Sequence, residues 1–172
     1  SAVNSGAWTQ VVLSARDTVG AVAVNGNFNE SSIVAGTDLG TDAFFGGTGT
    51  AADISSTGFI TSVTITGNFT RSNITAGYNR GTDAFFGTSD DLIAAGRSTI
   101  GPVTITGTAT GSTRSSESFR IASSGTLGAV RAGLNAFVGN GNLQLEAPTL
   151  QPVAIRVTDI VTATTGRVFT AR

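Results

Sequence analysis

Apolar and small polar residues alternate in short bursts along this chain, and the bursts recur. Val22 and Val24, then Val63 and Ile65, then Val103 and Ile105 hold every second position, while Ala23, Thr64, Thr66, Thr104 and Thr106 fall between or just after them. A period of two marks strands, with the aliphatic row facing one way and the threonine-rich row the other. Each burst is followed by Gly26, Gly67 or Gly107, where a sharp change of direction suits a residue without a Cβ. Phe28 and Phe69 come two positions after the first two glycines and predict an aromatic stack inside successive layers. A second short strand is predicted at 32–35, 73–76 and 119–122, ending near Gly36, Gly77 and Gly125.

The bursts belong to a longer repeat. VAVNGNFNESSIVAGTDLGTDAFFG, from Val22 to Gly46, returns as VTITGNFTRSNITAGYNRGTDAFFG from Val63 to Gly87, and a degraded third copy opens at Val103 as VTITGTATGS. Self-similarity at a spacing of roughly 41 residues means stacked structural units. Leu127 to Val138 has helical spacing at Leu127, Val130, Leu134 and Phe137, but LGAV at 127–130 also repeats the VGAV lead-in at Val19, which favours a strand. Val103 and Val130 then stand one coil apart, and the longer units read as such a coil carrying an insertion of roughly 14 residues. The expected fold is all-β, a parallel β-solenoid with two inserted loops forming a single domain over 1–172. Its parts are a cap or strand at 1–18, repeats at 19–60 and 61–99, a degraded repeat at 100–126, and last rungs or an assembly edge at 127–172. Trp8 is expected to close the first layer.

Composition removes several chemistries. Charged residues are 12% of the chain, the formal net charge is −1, and every cation is an arginine, so clustered basic residues for nucleic acid or an anionic membrane are missing. Without His or Cys there is no thiol nucleophile, no imidazole base and no disulfide. No apolar run approaches the roughly 20 residues of a membrane span. Ser1-Ala2 suits a mature start after signal cleavage, and secretion is the expectation.

At the level of the repeat, VTITGNFTRSNITAG followed by GTDAFFGTSDD resembles the solenoid repeats of large secreted bacterial surface proteins, over about residues 19–125. That resemblance implies an extracellular parallel β-helix with adhesive or structural work, and often calcium in acidic, glycine-rich loops. The second loop fits, with Asp83, Phe86, Gly87, Thr88, Asp90 and Asp91. The first departs after Gly46, where Asp53 alone remains of the acidic tail.

Calcium takes six to eight oxygens at about 2.3–2.6 Å. Asn79, Asp83, Asp90 and Asp91 are the candidate ligands in the second loop, and Asp38, Asp42 and Asp53 in the first. The competing reading is that these side chains close turns by bonding the backbone. The pairs Phe44–Phe45 and Phe85–Phe86 either pin their loops to the flank or form an adhesive patch; a ring left outside would be open to a neighbouring subunit. Ice binding by outward threonines is a weaker reading, because only Thr64 with Thr66 and Thr104 with Thr106 make the pair while the first rung has Ala23 and Asn25, and so is polysaccharide cleavage, because Asp17, Glu30, Glu117, Glu146 and Asp159 show no clustering. Asn29, Asn68 and Asn73 lie in glycosylation triplets that a Ser/Thr-rich chain produces by chance. No catalytic set remains. The sequence points to an extracellular structural subunit that pairs with itself as a homopolymer, with a calcium-dependent adhesin or a binder of cell-surface glycans as the alternative.

Overall fold

The computed structural model describes residues 2–42, 44–81, 85–86, 89–94, 97–112, 119–133, 143–146 and 149–150. Within them the protein is all-β, built chiefly from parallel sheets. The chain visits three sheets in a fixed order and then returns to the first. The opening pass is β1 (Val3–Ser5), β2 (Trp8–Thr9) and β3 (Val12–Ala15); the second is β4 (Thr18–Val24), β5 (Phe28–Asn29) and β6 (Ser32–Ala35). After an antiparallel hairpin of β7 (Thr37–Asp38) and β8 (Ile54–Ser55), the third pass runs through β9 (Phe59–Ile65), β10 (Phe69–Thr70) and β11 (Asn73–Ala76). A second antiparallel hairpin, β12 (Tyr78–Asn79) with β13 (Leu92–Ile93), precedes the fourth pass: β14 (Thr99–Ile100), β15 (Val103–Ile105), β16 (Ala109–Thr110) and β17 (Phe119–Ser123). Then come β18 (Thr126–Leu127), β19 (Val130–Ala132), β20 (Leu143–Glu146) and β21 (Thr149–Leu150).

Register follows the sequence repeat. Val3, Val22, Val63, Val103 and Val130 lie side by side across the first sheet, and Leu13, Ile33, Ile74 and Ile121 across the third. The second sheet aligns Trp8, Phe28, Phe69 and Ala109. All these rows meet in one apolar core, where Phe28 stacks on Phe69 with centroids 5.5 Å apart and rings nearly parallel at 6°. Trp8 tilts against Phe28 at 5.4 Å and is buried. The residues before Thr18, expected to be a cap or strand, thus enter all three sheets in register. Leu127 and Val130 are core strand residues, while Leu134 to Val138 lie outside the described residues.

Polar ladders run along the corners beside the apolar rows. Asn27 Oδ1 accepts the Asn68 N–H at 3.0 Å, and Asn68 Oδ1 accepts the Thr108 N–H at 2.9 Å. The glycines beside this ladder are required by space. A Cβ on Gly67 would lie 2.5 Å from Asn27 Oδ1, and one on Gly107 would lie 2.3 Å from Asn68 Oδ1. At the next corner the Ser31 hydroxyl accepts the Val11 N–H at 3.1 Å, and Ser72 accepts the Ser31 N–H at 3.0 Å. Between these ladders Gln10, Glu30 and Arg71 share a left-handed backbone, with φ of 56°, 48° and 45°. Their side chains meet outside: Gln10 donates to Glu30 at 3.2 Å, and Glu30 pairs with Arg71. Turn after turn, the same backbone need is met by a contact to the residue one pass away.

Candidate functional site

Two places remain after the core is accounted for: the pair of inserted loops, and the outer edge of the first pass. The loops, residues 39–53 and 80–91, are tied to each other. Thr37 Oγ1 donates to the Tyr78 carbonyl at 3.0 Å, which sets one hairpin beside the next. Phe45 of the first loop meets Phe86 of the second edge to face at 5.9 Å, and the Arg80 guanidinium covers the Phe45 ring at 4.4 Å. Phe86 is 1% exposed and packs with Val34, Tyr78 and Ala122 on the outer face of the third sheet. Phe85 meets Phe119 at 6.2 Å. Phe44, by contrast, is 75% exposed. Pinning therefore holds for Phe45, Phe85 and Phe86, and Phe44 is the ring left outside.

The acidic candidates largely close turns. Asp38 Oδ1 accepts the Gly40 N–H at 3.2 Å, Asn79 Oδ1 accepts the Gly81 N–H at 3.0 Å, and Asp42 Oδ1 accepts the Phe44 N–H at 3.0 Å. Asp and Asn do this because a short side-chain acceptor mimics the carbonyl of a backbone turn. Gly40 and Gly81 follow with φ of 66° and 67°, the left-handed conformation such turns ask for. Asp38 also lies 3.7 Å from Arg16. Asp90 backs onto the turn of Asn79, since a Cβ on Gly81 would be 2.7 Å from Asp90 Oδ2. Asp91 is half-buried nearby in sequence, and Asp83 lies outside the described residues. Among the described residues no three His, Cys, Asp or Glu side chains come together as a metal-holding group.

Asp53 behaves differently. Its Oδ2 accepts the Gly46 N–H at 2.9 Å, while Oδ1 is buried without a hydrogen-bond partner. Burial pushes its carboxyl above the usual aspartate range, opposed by the Gly46 N–H and the Asn79 side chain, reinforced by Asp42 and opposed again by Arg80. The two candidate sets, one per loop in the sequence, are thus partly merged: Asp53 of the first loop faces Asn79 and Arg80 of the second. Sequence reasoning passed over Arg80 and Arg120. The buried Arg120 donates from Nε to the Phe86 carbonyl at 3.2 Å and so ties the second loop to the sheet. The one signal for Arg80 was its place opposite Leu39, immediately before the matching GTDAFFG unit. Of the glycosylation triplets, Asn73 is buried and its Oδ1 accepts the Arg120 N–H at 2.9 Å, and Asn68 is committed to its ladder.

The second place is an edge. β1, β2 and β3 each end their sheet, and all three come from one short segment at one end of the molecule. Ser5, Val11 and Ala15 turn their carbonyls to the second pass, accepting from Asn25, Ser32 and Gly36, while Trp8 and Gln10 direct their N–H groups to it. Backbone groups alternate sides along a strand, so Asn4, Thr9, Val12 and Ser14 point theirs away from the molecule. Val12 is 52% exposed on this edge, with Val11 beside it also exposed. No family model matches the chain, and neither a curated protein nor a solved structure is similar to it.

Proposed function

We propose that this chain is an extracellular structural module, a parallel β-solenoid whose open sheet edges join subunits into a filament or surface layer. One observation carries the reading: three parallel sheets stop together at β1, β2 and β3 with a row of outward backbone groups. Open sheet edges are templates for further strands, and proteins that avoid pairing commonly blunt them with lysine, proline or inward charges. Val12 sits where such a blocker would stand. The low content of charged residues and the net charge of −1 let copies approach closely. In this reading the corner ladders give the module stiffness, and the paired loops decorate its flank. Electron microscopy of the purified chain over a range of concentrations tests the proposal. Filaments or sheets that lengthen with concentration are expected, and a chain that stays a monodisperse monomer throughout counts against it.

A further inference from the structure

We infer that Asn25 is a site of self-modification, where the Gly26 nitrogen attacks the Asn25 side-chain amide and the chain, with water as the only co-reactant, acquires an acidic residue on its outer face. The pair stands where the repeat needs a glycine but does not need an asparagine. Its counterparts in the next two passes are Thr66 before Gly67 and Thr106 before Gly107. A Cβ on Gly26, whose φ is 148°, would lie 2.9 Å from the Ala7 Cβ, so the corner admits no larger residue. Asn25 itself is exposed, and water reaches its amide.

Register frees the nucleophile. Val24 lies beside Ser5 and Phe28 beside Trp8, so the second pass spends residues 25–27 where the first spends only 6–7, a bulge of one residue. The bonds on either side of it are made: the Asn25 N–H donates to the Ser5 carbonyl at 2.8 Å, and the Trp8 N–H to the Asn27 carbonyl at 2.8 Å. Gly67 donates its N–H to the Gly26 carbonyl at 2.9 Å, and Gly107 to the Gly67 carbonyl at 3.0 Å. Among the described residues nothing accepts the Gly26 N–H. The gap comes from the offset between two passes that are both present. Attacking and attacked atoms sit on adjacent residues, which makes the reaction unimolecular.

As the Gly26 nitrogen bonds to Asn25 Cγ it gives up its proton, the Cγ–Nδ2 bond breaks, and ammonia leaves with that proton. A five-membered succinimide remains. Water then breaks one of its two ring C–N bonds: cleavage at Cγ leaves aspartate, and cleavage at the main-chain carbonyl leaves isoaspartate, with a backbone one atom longer. Either product is an acid. Asn25 Nδ2 donates to Asn4 Oδ1 at 2.7 Å, and a carboxylate only accepts, so this clip between the passes survives only with the Asn4 amide turned over.

The test is incubation of the natural chain at mildly alkaline pH, then cleavage at arginine and fragment mass spectrometry of peptide 17–71, which holds Asn25 with Asn27, Asn29 and Asn68. The other asparagine before a glycine, Asn140, lies outside both that peptide and the described residues. Aspartate and isoaspartate are expected at position 25, faster as pH rises, while the other three amides persist; conversion led by any of those three overturns the inference. The same peptide is timed in urea. The folded chain is expected to stay within about a hundredfold of the unfolded rate, the scale of loss that a misplaced nucleophile suffers, and a slower folded rate overturns the inference. Asn25→Thr, the residue the next two passes carry, is expected to keep the melting curve and to end acidification of the peptide, and acidification that persists in it rejects the site.

Discussion

Thr75 carries a buried hydroxyl with no hydrogen-bond partner, on the outer face of the third sheet beneath the second loop. Its register partner one pass earlier is Val34, which packs with Phe86 and Tyr78. A buried hydroxyl left unpaired costs about 1–3 kcal/mol, and an apolar group of the same shape avoids that cost. Thr75→Val is therefore expected to raise stability by about 1 kcal/mol, read as a higher midpoint in denaturant unfolding at unchanged slope. An unchanged or lower midpoint would mean the hydroxyl finds a partner. Residue roles were unevenly legible in the sequence. The inward rows at Val22, Val63 and Val103 were plain because alternation forces them. The Asx turns of Asp38 and Asn79 were one of two open readings, since a carboxylate that closes a turn and one that waits for a cation look alike in a string of letters.

At the scale of the element, strands here are two to seven residues long and hold by stacking on their neighbours. β10 shows this: two residues, with Phe69 lying between Phe28 and Ala109. Phe69→Ala is expected to cost about 3–5 kcal/mol, because the ring is fully buried and its site cannot collapse between fixed passes. Phe44→Ala, on an exposed ring, is expected to change stability by less than about 0.5 kcal/mol; equal losses from the two would contradict the layered core. The first pass was the element hardest to read ahead. Val3 pairs with Val22 and Trp8 with Phe28, so the offset slips by one residue within a few positions, and although Gly6 precedes Trp8 as Gly26 precedes Phe28, tryptophan replaces the phenylalanine of the repeat. The mutual packing of the loops was hidden for a different reason: identical GTDAFFG motifs suggest identical roles, yet Phe44 is exposed whereas its counterpart Phe85 meets Phe119.

For the whole molecule, each pass touches chiefly the passes beside it, so stability is a sum of neighbour terms and the ends have the fewest. Hydrogen exchange on dilute chain should find the amides of Val63, Ile65 and Ile74 most protected, with protection falling towards Asn4, Thr9, Val12 and Ser14. Uniform protection from the first pass to the third would oppose this gradient.

The lengths of the passes differ, and the two largest differences fall at the same joint. From the third sheet back to the first, the chain needs Arg16 and Asp17 after β3 and Ser124 and Gly125 after β17, but it spends a whole hairpin after β6 and another after β11. The inward rows stay in register across it in every case. That corner acts as an expansion joint: sequence can be gained or lost there without disturbing the rows within, so the flank of the molecule is free to diversify while its interior stays fixed.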